Sequence, residues 1–265
     1  MKIYDRIVAE YLKNHEIRSF SGEWFYRDFF VEPKADAQTK QRVRIVYDAL
    51  CGKIADFVPT NYRIWDELFP EWREMLDDIS VDLIVGFPEP YDATVKYHED
   101  GTCHIIFDLV CWARYVGHCN LSEVVQNLLT HEICHVLNHH YIKNLAADEE
   151  SEDYLTQLDA LSFDEAFAHL LSYQSRDIDM VDWQEEKMCK IREQSKVRMK
   201  EALAETDPQR QKRNLSEAFC GKYDEKFACM CGMLYLSELW SRGGIPALKE
   251  AFEKGHRGFA ADTVR

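Results

Sequence analysis

No stretch of this 265-residue chain approaches the roughly 20 consecutive uncharged apolar residues that a membrane helix requires, so no membrane span is expected. The N-terminal run MKIYDRIVAEYLKNHEIRSF also lacks the apolar segment of a signal peptide; its apolar and charged residues alternate as in an amphipathic helix. Positive charge is scarce, with 32 Lys and Arg against 47 Asp and Glu and a formal charge of −15. A phosphate backbone is bound by a basic footprint and repelled by an acidic one, so nucleic acid is not expected as a partner. Internal repeats, Gly/Ser linkers and blocks of like charge are missing too, which leaves one domain with lobes as the expected organisation. Nor is there a paired cysteine framework. Nine scattered cysteines, an odd number, suit a reducing compartment, and a cytoplasmic location is expected. Cys229 and Cys231 are the nearest pair, but on an apolar helix they point to different faces and fit core packing better than chelation.

A hydrophobic content of 46% with 30% charged residues is ordinary for a folded chain of this length. The first 80 residues read as helical: Trp24, Phe25, Phe29 and Phe30, then Ile64, Leu68, Trp72 and Met75, recur near helical spacing as a core stripe. Between Val81 and Cys111 the texture changes to short β-rich runs, VDLIVGF, ATVKYH and CHIIFDLVC, the last two joined by Glu-Asp-Gly-Thr as a hairpin. Leu121 to His140 is helical by period, with Asn120 and Glu123 as a capping box. An acidic, exposed loop follows, then a helix over about residues 162–175, a charged helix from Met180 to Glu205 and an apolar one from Ala218 to Trp240. The expected fold is α+β and mostly helical, with N-terminal helices over 1–80, a small mixed sheet and two site-bearing helices over 81–175, and a C-terminal helical lobe over 176–265.

Residues 131–135 read His-Glu-Ile-Cys-His, a match to HExxH. On a helix, positions i and i+4 lie about 40° apart around the axis and one turn apart along it, so His131 and His135 can reach one metal ion. Glu132 then flanks that ion, placed to take a proton from an activated water and deliver it to a leaving amine. With ten histidines in the chain, the chance expectation for the motif is on the order of a few in a hundred. A metzincin would place Gly and His where Asn138 and Tyr141 stand, which excludes that subclass. The other common third ligand is a glutamate from the next helix, and Glu165, within Phe163-Asp164-Glu165-Ala166-Phe167-Ala168-His169, is the candidate. Read as structure alone, Glu165 and Asp164 would be first-turn carboxylates stabilised by the helix dipole. His169, one turn further on, can be an outer partner of the metal, a substitute ligand or a core-edge histidine. His139 and His140 read as cations at a helix C-terminus.

With HEICH on one helix and the glutamate of DEAFAH on the next, the chain resembles the gluzincin group of zinc metallopeptidases, and within it uncharacterised bacterial predicted zinc-dependent proteases. The resemblance covers roughly residues 81–255. It implies a zincin-like core, one zinc per chain held by His131, His135 and Glu165, and Glu132 as general base. It implies further that extended peptide or protein substrate pairs with an edge strand near Cys103–Cys111. Tyr223-Asp224-Glu225-Lys226-Phe227-Ala228 resembles the tyrosine-bearing helix of the aminopeptidase branch, which implies Tyr223 as an oxyanion stabiliser. The usual Asn-Glu is Asp164-Glu165 here, and the Gly-Ala-Met-Glu-Asn signature that anchors a substrate N-terminus is absent. The expected function is zinc-dependent hydrolysis of peptides; the alternatives are a non-catalytic zinc-binding protein and an acidic helical interaction protein.

Overall fold

The β-branched and aromatic runs fold as strands and the amphipathic ones as helices in the computed structural model, which describes residues 1–26, 29–88 and 92–265. In chain order come β1 (Lys2–Tyr4), α1 (Arg6–Leu12), α2 (Ala37–Ala55), α3 (Tyr62–Leu68), α4 (Trp72–Met75), β2 (Ser80–Ile84), β3 (Ala93–Tyr97) and β4 (Cys103–Asp108). There follow α5 (Leu109–Trp112), α6 (Leu121–Tyr141), α7 (Leu145–Glu149), α8 (Tyr154–Ser172), α9 (Glu186–Leu203), α10 (Pro208–Phe219), α11 (Phe227–Lys254) and α12 (Phe259–Asp262). The architecture is α+β, mostly helical, with one small mixed sheet, as the composition of the runs predicts. No helix among the described residues is long and apolar enough to cross a membrane.

The sheet order is β1-β2-β4-β3. β1, β2 and β4 are parallel, and β3 runs antiparallel to β4, closing the expected hairpin with Gly101 at φ +85° in its loop. Two expectations change here. β4 is hydrogen-bonded on both sides, so the segment from Cys103 is an interior strand and offers no edge to a substrate; the sheet's edges are β1 and β3. The strand also stops at Asp108 and not at Cys111, because the Asp108 side chain accepts the backbone N–H groups of Val110 and Cys111 and turns the chain into α5. Its other oxygen accepts from Gly86 and Phe87 at 2.6 and 2.7 Å, tying down the chain after β2.

Two compact units interleave along the chain: residues 1–59 with 71–133, and residues 60–70 with 134–265. In the first unit, Val81 and Leu83 register with Ile105 and Phe107 on one buried face of the sheet, and the Phe107 and Trp112 rings meet at 5.1 Å. α2 buries Val43, Val46, Leu50 and Ile54 at helical spacing. The aromatic stripe at 24–30 is not helical as expected: Trp24 to Tyr26 lie in turns, with Phe25 and Tyr26 buried and Phe29 exposed.

In the second unit α8 packs along α11. Phe163 and Phe167 face Phe252 with ring centroids 5.9 and 5.2 Å apart. Gly232 lets the two backbones close, since a Cβ there would stand 2.6 Å from the Ala166 Cβ and 3.1 Å from the Ser162 carbonyl oxygen. α8 also starts earlier than expected. Asp153 caps it by accepting from the Thr156 N–H at 2.9 Å, so Asp164 and Glu165 sit mid-helix and are not first-turn carboxylates. α11 absorbs Gly243 and Gly244 as an internal kink, Gly244 at φ +59°, instead of ending at Trp240.

Candidate metal centre

α6 begins where the sequence places it. Asn120 accepts from the Ser122 N–H at 3.2 Å and donates to the Glu123 carboxylate at 2.9 Å. Its apolar band, Val125, Leu129, Ile133, Val136 and Leu137, is buried. The polar residues His131, His135, Asn138 and His139 recur at intervals of three and four, so they share a face of the helix. Glu132 is only 6% exposed, an unusual place for a carboxylate unless something there uses it.

α8 meets that polar face with consecutive carboxylates. Being neighbours, Asp164 and Glu165 project about 100° apart around the helix and serve different groups. Asp164 is buried. Its Oδ2 lies 2.6 Å from His135 Nδ1, and its Oδ1 accepts from the buried Asn138 amide at 2.7 Å. With Nδ1 taken up, Nε2 is the nitrogen of His135 that could serve a metal ion, as where a carboxylate orients a metal-bound histidine. Glu165 Oε2 is 3.2 Å from His169 Nε2, one turn further along α8. A trio lies beside these pairs within the same unit: ligand atoms of His139, Glu149 and Asp164 all lie within 4.8 Å of one another, with His139 Nε2 3.1 Å from Glu149 Oε2 and 3.4 Å from Asp164 Oδ2.

The ionisations follow from burial and these pairs. Burial opposes charge on Asp164, but His135 and His139 outweigh it and hold its carboxyl well below the usual carboxylate range. Burial pushes His169 below its ordinary value against the pull of Glu165, leaving the neutral imidazole that can donate a lone pair. Burial would lower His139 too, yet its bonds to Asp164 and Glu149 raise it to about 9. Glu149 is pushed up to about 7, by burial first and then by the negative charge of Asp164.

Tyr223 sits in a one-turn helix ahead of α11, its ring edge-on to His169 with centroids 5.1 Å apart. The residue is 40% exposed as a whole, while crowding around its hydroxyl raises the phenol well above its ordinary value, with Tyr173, Cys229, Asp224 and Glu165 adding to the shift. It stays a proton donor at neutral pH.

No family model, curated protein or solved structure matches this chain. Its own donors must carry the chemistry. Imidazoles joined by a carboxylate suit zinc, and an imidazole whose second nitrogen is held by a buried carboxylate is already set for ligation. The residues present therefore fit the metal that HExxH implies.

The structure sets His169 beside Glu165, seats His135 on Asp164, and places Tyr223 against His169. Sequence reasoning missed Asp164, Asn138 and Glu149. Asp164 stands directly before the candidate ligand, a signal consistent with helix-dipole stabilisation as much as with orientation of a histidine. Glu149 falls in the acidic stretch expected to be an exposed loop, but α7 turns its side chain inward onto His139, leaving it 15% exposed. His139, expected as a C-terminal cation, stands in the last turn of α6 but is held by two carboxylates. His140 is exposed.

Proposed function

We propose that this chain is a zinc-dependent hydrolase acting on peptides, of the gluzincin type, with a zincin-like core around α6 and α8. The observation that carries the reading is His135 of the HExxH motif, held at Nδ1 by the buried Asp164 carboxylate, the residue next to Glu165. His131, His135 and Glu165 would hold the ion, with His169 beside them. Zinc supplies Lewis acidity, which lets water act as a nucleophile near neutral pH. The chain's own residues do the rest. Glu132, one residue from His131 and screened from bulk solvent, accepts the proton of the attacking water and returns it to the leaving amine. Tyr223, kept protonated, can donate a hydrogen bond to the oxyanion. With β4 paired on both sides, extended substrate must use another edge of the sheet or none.

A second reading has an observation of its own. His169 lies as close to Glu165 as a fellow ligand would, and a fourth protein ligand would fill the position that catalysis leaves open to water. The site would then be a closed, structural one. One experiment separates the two. The hydrolase reading predicts that the zinc-loaded protein cleaves a quenched-fluorescence peptide library, and that Glu132→Gln retains its zinc while losing on the order of 100-fold or more of the rate. A structural site predicts zinc binding, no cleavage by either protein, and no change on replacing Glu132.

A further inference from the structure

The His139, Glu149 and Asp164 cluster lies outside the ligand set of the proposed hydrolytic centre, and its chemistry differs from that of an ordinary buried ion pair. Three observations set it apart. The first is geometric. His139 Nε2 stands 3.1 Å from Glu149 Oε2 and 3.4 Å from Asp164 Oδ2, and all three ligand atoms lie within 4.8 Å of one another. Ligands about 2.0–2.2 Å from a tetrahedral ion stand roughly 3.3–3.6 Å apart, so this spacing suits a shared cation with little movement.

The second is a mismatch in hydrogen bonding. A single Nε2 offers at most one proton, yet it faces two carboxylate oxygens. Glu149 Oε1 is buried and has no hydrogen-bond partner among the described residues. A carboxylate oxygen stranded out of water is costly unless a positive charge or a donor reaches it. The third is charge. With both carboxylates ionised, one imidazolium leaves this buried trio net negative, whereas a divalent cation with a neutral imidazole balances it.

We propose that His139, Glu149 and Asp164 bind a second divalent cation of the zinc or manganese class, held by one imidazole and two carboxylates. The position gives this cation a structural task. Asp164 Oδ2 is also the atom that holds His135 Nδ1, and Asn138 holds its other oxygen, so an ion on Asp164 would fix the carboxylate that orients His135. Glu149 comes from α7, so the ion would also fasten that short helix to α6 and α8.

The test uses the full-length chain, stripped with chelator and dialysed against zinc or, separately, manganese. Ions per chain are counted by elemental analysis and affinity is measured by calorimetric titration, with circular dichroism confirming that each variant is folded. Glu149→Gln and His139→Gln are each expected to hold one ion fewer than the unmodified chain, or to bind that ion at least about tenfold more weakly. Glu165→Gln should retain it. The Glu165 variant makes the result independent of the hydrolase reading: if that reading fails, the unmodified chain holds a single ion that disappears with Glu149→Gln and survives Glu165→Gln. The proposal is overturned if folded Glu149→Gln and His139→Gln bind as many ions as the unmodified chain, with equal affinity, in both metals.

Discussion

At the scale of single residues, the site is organised by Asp164 more than by any residue of the HExxH motif. Its two oxygens hold His135 at 2.6 Å and Asn138 at 2.7 Å, so it fixes the imidazole's orientation and tautomer. Asp164→Asn should therefore weaken zinc binding by about 10- to 100-fold while leaving all three proposed ligands in place, as competition with a fluorescent chelator would show. Unchanged affinity would remove Asp164 from the site. The placement of the motif was legible: a sustained helical period puts His131, Glu132 and His135 on α6, and Glu165 falls on the helix α8 that follows the short α7. Asp164 was not, because an aspartate's use depends on which helix crosses it, and no local pattern records that. Glu149 was hidden for the same reason, its acidic neighbours reading as solvated loop.

At the scale of elements, the close approach of α8 and α11 determines where Glu165 and His169 stand. Gly232 permits it, with a Cβ position only 2.6 Å from that of Ala166, the residue next to Glu165. Gly232→Val should destabilise the fold by about 1–3 kcal/mol through overpacking, measurable by urea denaturation; a stability equal to that of the unmodified chain would mean the helices part freely. The longer elements were legible because their periods are sustained: α6 ends within a residue of the expectation, β3 and β4 lie inside the runs that predicted them, and β2 starts one residue ahead of its run. The failures are local signals too short or too ambiguous to read. β1 has three residues, and Trp24, Phe25, Phe29 and Phe30 imitate a helical period although Trp24 and Phe25 lie in turns and Phe29 and Phe30 in no regular element. The pairing of β2 with β4, which makes β4 interior, joins segments about 20 residues apart, and alternation within a strand carries no record of its partners.

At the scale of the whole molecule, the buried charges make stability depend on pH, and the proposed ions would make it depend on metal. In the metal-free protein, His139 titrates at about 9 when folded, above its ordinary value, so the stability it contributes is complete below about pH 6.5 and is lost as pH rises through 9. Glu149, raised to about 7, acts in the same direction over a lower window, its contribution fading between about pH 4.5 and 7. Asp164 acts oppositely, losing its contribution only in acid. The chelated protein should therefore melt at progressively lower temperature from about pH 5 to 9, and His139→Gln should flatten the upper part of that slope; calorimetric scans across the range would show it. Metal should reverse part of the loss, since an ion present at 100 times its dissociation constant stabilises by about 2.7 kcal/mol. A chelator that left the melting temperature unmoved would contradict that linkage.

The centre itself is tested most directly by an anomalous difference map at the zinc edge, from crystals of the full chain grown with zinc. A peak coordinated by His131, His135 and Glu165 is the predicted result. Ordered side chains at those three positions with no peak among them would contradict the account.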